Sequence, residues 1–512
     1  MPPSFYEPLT ALDSWFLYGE SANTPLHIGG VYIFEAGTRV EGGKGALGLA
    51  RTLEERMHLL PRYRQKVKWL PFNLGHPVWV DDPDFDMSYH VRHAALPKPG
   101  DDATLREYAA RVYARPLDLT KPPWEVTIVE GLEGDRVAMI SKVHHSMVDG
   151  ISTVDIGALL LDAQPEPTPY PQPDPWEARP APTELEILRD TFLRVGPITQ
   201  LRQIADSASQ GARELVSQPW DGAMSLARTL LRPSRPLFFN RPIGPHRRLH
   251  SITVPLALFK QLKDHFECTV NDVVLAVIAE ALQAWLRRRG EDVPDTLRVF
   301  CPVSVRDESA RYRFGNMVSG MVVELPTAQM SLENRLHRIV SVTGDLKRSK
   351  QAVAAQALVQ LADFAPATLH TLAVRLLPSD RPQWAVNMIV TNVPGPQQPF
   401  YTGGALLVDV WPFVPVYHSL GLNIALTSYN GNIHIGLQAD RDLVPDLADL
   451  AESISEAAED YRALLEQPPA TKPSPKAGAS RAAGTRRGSR PARRGSPAPR
   501  RRSGRTARRP SS

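Results

Sequence analysis

The chain has 512 residues, 42% of them hydrophobic, with 59 Lys and Arg against 55 Asp and Glu, a net charge of +4. That length predicts two large domains with a substantial core; no apolar run is long enough to span a bilayer, and the opening Met1-Pro-Pro-Ser-Phe-Tyr-Glu7 has neither the basic flank nor the apolar stretch of a signal peptide. The charge is uneven: 14 basic and no acidic residues follow Ala470, which leaves the preceding 470 residues with 45 basic against 55 acidic side chains, so the overall charge says nothing about the active site's substrate.

Residues 9–17 form a short amphipathic opening with Thr10 as a helix cap. Residues 26–34 read as a strand and 46–59 as a helix. Leu60-Pro-Arg-Tyr-Arg-Gln-Lys-Val67 is a basic cluster passing into a strand, and taken alone it reads as a solvated basic edge. Residues 75–80 and 87–93 follow as strands and 104–114 as a helix. The proline-stiffened turn at 116–125 leads into a strand at 126–129. Gly131-Leu-Glu-Gly-Asp135 joins that strand to the next, 136–143, as an antiparallel hairpin. The second strand runs into His144-His145-Ser146-Met147-Val148-Asp149-Gly150, and 151–161 reads as a short helix.

Eight prolines between Pro165 and Pro182 mark an extended connector. Thr183-Glu-Leu-Glu186 is a capping box, and from it to residue 231 an amphipathic helical pattern is broken at Pro197 and Pro219. A helical arm packed on the body is favoured there over a lipid-facing segment. A second half opens near Asn240, with a strand at 249–254. Thr269 caps a helix that carries Asn271 and Asp272 in its first turn and stops at Gly290 after Arg287-Arg-Arg289. Strands follow at 297–303, ending in Ser304-Val-Arg306-Asp307, and at 318–325. Helices follow at 332–350 and 355–377, the latter kinked at Pro366. Met388-Ile-Val-Thr-Asn-Val-Pro-Gly-Pro396 is a strand breaking into a turn. Strands at 420–427 and 433–438 flank the hairpin signal Asn430-Gly431, and a helix at 443–465 closes the half. Cys268 and Cys301 match no metal spacing and read as buried free thiols of a reducing cytosol.

Strands mix with helices in both halves, so the fold class is α/β (α+β) with two layered domains. The expected divisions are 1–164, a 165–239 connector and arm, 240–468, and a 469–512 tail. The tail is too poor in apolar residues to fold alone.

The chemistry concentrates at the strand end. An imidazole removes a proton from a hydroxyl near neutral pH, which suits His145. Asp149 either orients it or pairs with a cation. No Gly-x-Ser-x-Gly elbow supports a covalent serine route. A metal is not expected, because adjacent histidines rarely share one ion and no third ligand is evident. A purely structural histidine pair is the alternative.

His-His-x-x-x-Asp-Gly is the signature of acyltransferases that use thioester donors, among them chloramphenicol acetyltransferase-like enzymes and peptide-synthetase condensation domains. Further stretches resemble the bacterial wax ester synthase/diacylglycerol acyltransferase family. They are Leu9-Thr-Ala-Leu-Asp13, Pro116-Leu-Asp118 with Pro123-Trp-Glu125, Asn240-Arg-Pro-Ile-Gly244, Val270-Asn-Asp-Val-Val-Leu-Ala276, Pro302-Val-Ser-Val-Arg306, Gly315-Asn316 and Thr391-Asn-Val-Pro-Gly-Pro396. They occur in the family's order between residue 5 and about 465, with Thr391 where serine is common.

The resemblance implies two chloramphenicol acetyltransferase-like halves with a tunnel between them, reached by acyl-CoA from one side and the alcohol from the other. It makes His145 the base, His144 and Gly150 its supports, and Asp149 a structural residue paired with Arg64 or Arg306. Arg64 stands in Pro61-Arg-Tyr-Arg64 much as an arginine does in condensation domains. Asn271 and Asp272 would line or brace the tunnel. The implied reaction transfers a fatty acyl group from acyl-CoA to diacylglycerol, with no cofactor. Long-chain alcohols are the alternative acceptors, and a non-catalytic lipid-binding protein is the alternative class. A cytoplasmic protein is expected, peripheral at the inner membrane face or on lipid droplets through its basic tail. Nucleic acid is not the expected partner.

Overall fold

Two groups of strands, the central ones buried on both faces along most of their length, build two six-stranded mixed sheets. The computed structural model describes residues 5–35, 46–71, 75–148, 160–166, 176–195, 232–304, 318–348 and 385–466. Its N-terminal part supplies β1 (Glu7–Pro8), α1 (Ala11–Gly19), β2 (His27–Phe34), α2 (Ala46–Arg56), β3 (Gln65–Lys68), β4 (Val78–Asp81), α3 (Met87–His90), β5 (Val91–Ala95), α4 (Asp102–Tyr113), β6 (Trp124–Glu130), β7 (Val137–His144) and the arm helix α5 (Glu184–Val195). The C-terminal part supplies β8 (Arg247–Pro255), α6 (Leu256–His265), α7 (Val270–Arg288), β9 (Thr296–Ser304), β10 (Val318–Pro326), α8 (Leu332–Arg348), β11 (Met388–Val393), β12 (Tyr401–Thr402), β13 (Ala405–Phe413), β14 (Leu422–Tyr429), β15 (Asn432–Asp440) and α9 (Leu447–Glu466).

The first sheet runs β12-β13-β2-β7-β6-β5 and the second β10-β9-β11-β14-β15-β8, with a small β1-β4-β3 sheet beside the first. Residues of alternating parity on β7 enter different cores. Val137, Met139 and Val143 pack toward α2, whereas Ala138 and Ile140 pack toward α4. The largest core lies in the second half, where α6, α7, α8 and α9 cover one face of their sheet.

Several local expectations hold in the structure. Thr10 accepts the Asp13 N–H at 3.0 Å and starts α1. Thr269 and Asp272 form a reciprocal capping box on α7. Thr183 and Glu186 form another on α5. Asn430 and Gly431 take positive φ, 44° and 82°, in the turn between β14 and β15.

Other expectations change. Residues 87–93 are not one strand: Asp86 accepts the Ser88 N–H at 2.9 Å and starts α3, and β5 begins only at Val91. The basic cluster at 60–67 is not a solvated edge either. Pro61–Arg64 is a 3-10 turn in which Arg62 is buried and pairs with Glu7 at 2.6 Å. Cys301 is buried but Cys268 only half-buried, and burial pushes their thiols up to about 12 and about 11.

The largest difference is β13. The sequence reading places no strand between 396 and 420, yet Leu407–Phe413 pairs antiparallel with β2, so a ribbon of the C-terminal part completes the N-terminal sheet. Pro412 makes this run read as broken. It is accommodated because, among the described residues, β13 there pairs with β2 alone, β12 having paired no further than Leu406. The expected helix at 151–161 up to residue 159, the helix at 355–377, the arm beyond 195, the tail, and Asp149, Gly150 and Arg306 lie outside the described residues.

Candidate active site

The paired histidines sit where β7 ends against β2, with His27 directly opposite His144. Strand alternation turns Lys142 and His144 to the α4 side of the sheet, as it does Ala138 and Ile140. That side is closed by Tyr113, whose hydroxyl donates to Ser141 O at 2.8 Å. Gly29 is required in this corner, since a Cβ there would lie 2.0 Å from Ser141 O and 2.8 Å from the Tyr113 hydroxyl.

A buried polar cluster underlies the motif. The Lys142 ammonium, fully buried, donates to Val112 O (3.1 Å) and Arg115 O (2.9 Å) at the end of α4 and to Glu125 Oε1 (3.1 Å). Burial lowers its pKa, and Glu125 opposes that shift. His27 lies against it with Nε2 on Tyr113 O at 3.0 Å. Burial first, then the Lys142 charge and His144, hold His27 well below the usual imidazole range, so it is neutral.

His144 is also fully buried. The Ser146 backbone N–H donates to its Nδ1 at 3.1 Å and the Ser146 hydroxyl approaches the same atom at 2.7 Å. A neutral His144 therefore carries its proton on Nε2, which faces the Glu20 carboxylate at 3.5 Å. Glu20 caps the end of α1 and accepts the Leu26 N–H at 3.1 Å on its other oxygen. Leu26 O in turn accepts the His145 N–H at 2.9 Å. The His145 ring is half-buried and stacks face to face on Phe16 of α1, with centroids 4.0 Å apart and planes 5° apart. One imidazole is thus locked in the core while its neighbour stands at the strand end, with its backbone N–H on Leu26 O and a ring face on Phe16.

The other expected residues stand elsewhere. Arg64 closes the 3-10 turn before β3, with its guanidinium 4.9 Å from the centre of the Trp176 ring. Asn271 accepts the Asn392 side-chain amide at 3.3 Å, which joins the start of α7 to the end of β11. Asp272 is buried, and both its oxygens are used: Oδ2 takes the Thr269 N–H (3.0 Å) and hydroxyl (2.6 Å), and Oδ1 takes the Thr343 hydroxyl (2.7 Å). Asp272 therefore braces α7 against α8. Asp272→Ala is expected to lower unfolding free energy by about 1–3 kcal/mol, read from urea denaturation; an unchanged midpoint would count against the brace.

Sequence reasoning missed Glu20 and Lys142. Lys142 had a signal, as the lone cation in an otherwise apolar strand. Glu20 had none, since its contact with His144 depends on how α1 folds back over β7.

Two mixed α/β halves, with adjacent histidines at the end of a central strand, make a fold that solved condensation domains share. A solved starter condensation domain of rhizomide synthetase shares this fold over 90% of the chain and 95% of its own, at TM-score 0.54 and 14% identity. Family models narrow the class: the wax ester synthase/diacylglycerol acyltransferase catalytic domain matches residues 9–274 and the WS/DGAT C-terminal domain residues 314–461. The chain belongs to the wax ester synthase/diacylglycerol acyltransferase family and is an acyltransferase. It is 34% identical over 455 residues to a probable diacylglycerol O-acyltransferase of Mycobacterium tuberculosis, covering 88% of this chain and 94% of that one. It is 32% identical to a putative diacylglycerol O-acyltransferase of the same organism, covering 88% and 89%. The wax ester synthase/diacylglycerol acyltransferase of Marinobacter aquaeolei VT8 superposes at TM-score 0.62 and 25% identity, covering 90% of this chain and all of that one.

Proposed function

We propose that this acyltransferase transfers a fatty acyl group from acyl-CoA to the free hydroxyl of diacylglycerol, releasing CoA and triacylglycerol. The observation that carries the reading is His145, presented at the strand end within a His-His-x-x-x-Asp-Gly stretch, beside an imidazole that is buried and locked. The His145 imidazole takes the acceptor's hydroxyl proton as its oxygen attacks the thioester carbonyl. The C–S bond then breaks, and the same imidazolium returns the proton to the departing CoA thiolate. No acyl-enzyme forms. The gain comes from proximity and general base catalysis. The names of the mycobacterial relatives support diacylglycerol as the acceptor.

Among the described residues no single helix is long and apolar enough to cross a membrane. Contact with a lipid surface is assigned to the basic tail, through anionic headgroups.

The test is an acceptor competition. Purified protein receives labelled acyl-CoA with equal diacylglycerol and long-chain alcohol. Label accumulating in triacylglycerol is the expected result. Label confined to wax ester would overturn the acceptor, and bound lipid with no turnover on either would overturn the enzyme reading.

A further inference from the structure

A buried arginine of the second half reaches the loop between α1 and β2. Arg247 opens β8 and is 4% exposed. Its guanidinium works in two directions. Nη1 donates to Gly244 O at 2.8 Å and His246 O at 3.0 Å, both in its own half. Nη2 crosses to the N-terminal half and donates to Asn23 O at 2.5 Å. Asp440, opposite Arg247 in the β-ladder, attracts it. The oxygens of Asp440 are occupied by the backbone N–H groups of Gly244 (2.6 Å), Asp442 (3.0 Å) and Leu443 (2.9 Å). Burial draws the guanidinium down to about 10, Asp440 opposing. A cation kept in that environment is costly, and it supplies what no apolar residue can: a rigid fork with donors on both sides of a seam.

Asn23 lies in the loop between α1 and β2. A reciprocal pair of backbone bonds between Ser21 and Thr24, at 3.2 and 2.9 Å, folds that loop tightly. Its ends are Glu20, which faces His144 Nε2, and Leu26, whose carbonyl holds the His145 N–H. The loop is thus a short, stiff link from the Arg247 guanidinium to both histidines. A second contact acts on the same element. The Tyr417 ring packs on Trp15 of α1, with centroids 5.3 Å apart, and the Ile243 N–H donates to His418 O at 3.0 Å, tying the Tyr417 loop to the segment that carries Arg247.

We propose that Arg247 is a positioning residue for His145, by which the C-terminal half sets the 20–26 loop and so the placement of the base. The inference rests on the reading of His145 as that base. A lysine at 247 keeps the charge but cannot span both sets of carbonyls, and small misplacements of a reacting group cost up to about 100-fold in rate.

The experiment compares Arg247→Lys, Arg247→Ala and His145→Ala with the wild type, by kcat, KM for acyl-CoA, melting temperature and response to millimolar guanidinium. Arg247→Lys is expected to lose about ten-fold in kcat per folded molecule, with KM near wild type and a lowered melting temperature from the buried carbonyls left unpaired. Guanidinium is expected to restore part of the kcat of Arg247→Ala and to leave His145→Ala unchanged. Wild-type kcat in both folded arginine variants overturns the inference. So does a loss that only tracks the folded fraction and is not rescued, or failure of both variants to fold, since each assigns Arg247 to the fold alone. Wild-type kcat in His145→Ala instead overturns the base assignment, so the two failures are told apart.

Discussion

His145→Ala is expected to lower kcat by about 10²- to 10⁴-fold, the usual contribution of a positioned general base, with KM for acyl-CoA and melting temperature close to wild type. The side chain is half-buried, and its main structural tie, the N–H bond to Leu26 O, belongs to the backbone and survives in alanine. The stack on Phe16, about 0.5–1.5 kcal/mol for an aromatic pair, is lost with the imidazole. His144→Ala should behave differently. It removes the acceptor of the Ser146 N–H and hydroxyl from a fully buried site, at about 1–3 kcal/mol for the groups left unpaired. Stability and kcat therefore fall together in that variant. Single-turnover rates beside thermal melts separate the reacting ring from the bracing one, and product formation by His145→Ala at the wild-type rate would remove His145 from the mechanism.

The parts of this site that were legible in the sequence are those whose cause is local. The β6–β7 hairpin, the capping boxes at Thr183 and Thr269 and the Asn430-Gly431 turn depend on residues within about one turn of one another, and they stand where the pattern puts them. His144 and His145 are legible for the same reason, as the end of a β-branched strand. The pairing of β13 with β2 joins positions nearly four hundred residues apart in the chain, and no local pattern carries that. Asp86 shows the converse: a local cap converted an apparent strand into a short helix, because an N–H acceptor at the right spacing outweighs β-propensity over four residues. Arg62 illustrates a third limit. Its charge reads as solvated until Glu7, on the edge strand β1 of the small sheet, is brought within 2.6 Å.

Gly436→Ala is expected to lower kcat about ten-fold or more and to destabilise the fold by about 1–3 kcal/mol, as overpacking does, although Gly436 lies on β15 in the other half. A Cβ at this position would sit 1.7 Å from Pro412 O and 2.8 Å from Pro412 C. Both are backbone atoms of β13, so no rotamer change relieves the clash; the ribbon itself must move. β13 is held to β2 with Pro412 opposite Gly30 and Phe413 opposite Gly29, and β2 is held to β7 with His27 opposite His144. A displaced ribbon therefore carries its shift through two strands to the end of β7. Gly431→Ala provides the comparison. It sits in the β14–β15 turn with φ 82°, and among the described residues nothing lies within 4 Å of the added methyl, so its cost is conformational, about 1–2 kcal/mol for a left-handed residue, with no clash to carry toward the histidines. Melting curves and kcat on the two variants decide the matter: equal kcat per folded molecule would mean that the junction between β13 and β15 does not set the geometry of His145, whereas a loss confined to Gly436→Ala ties the base to a strand contributed from the far half of the chain.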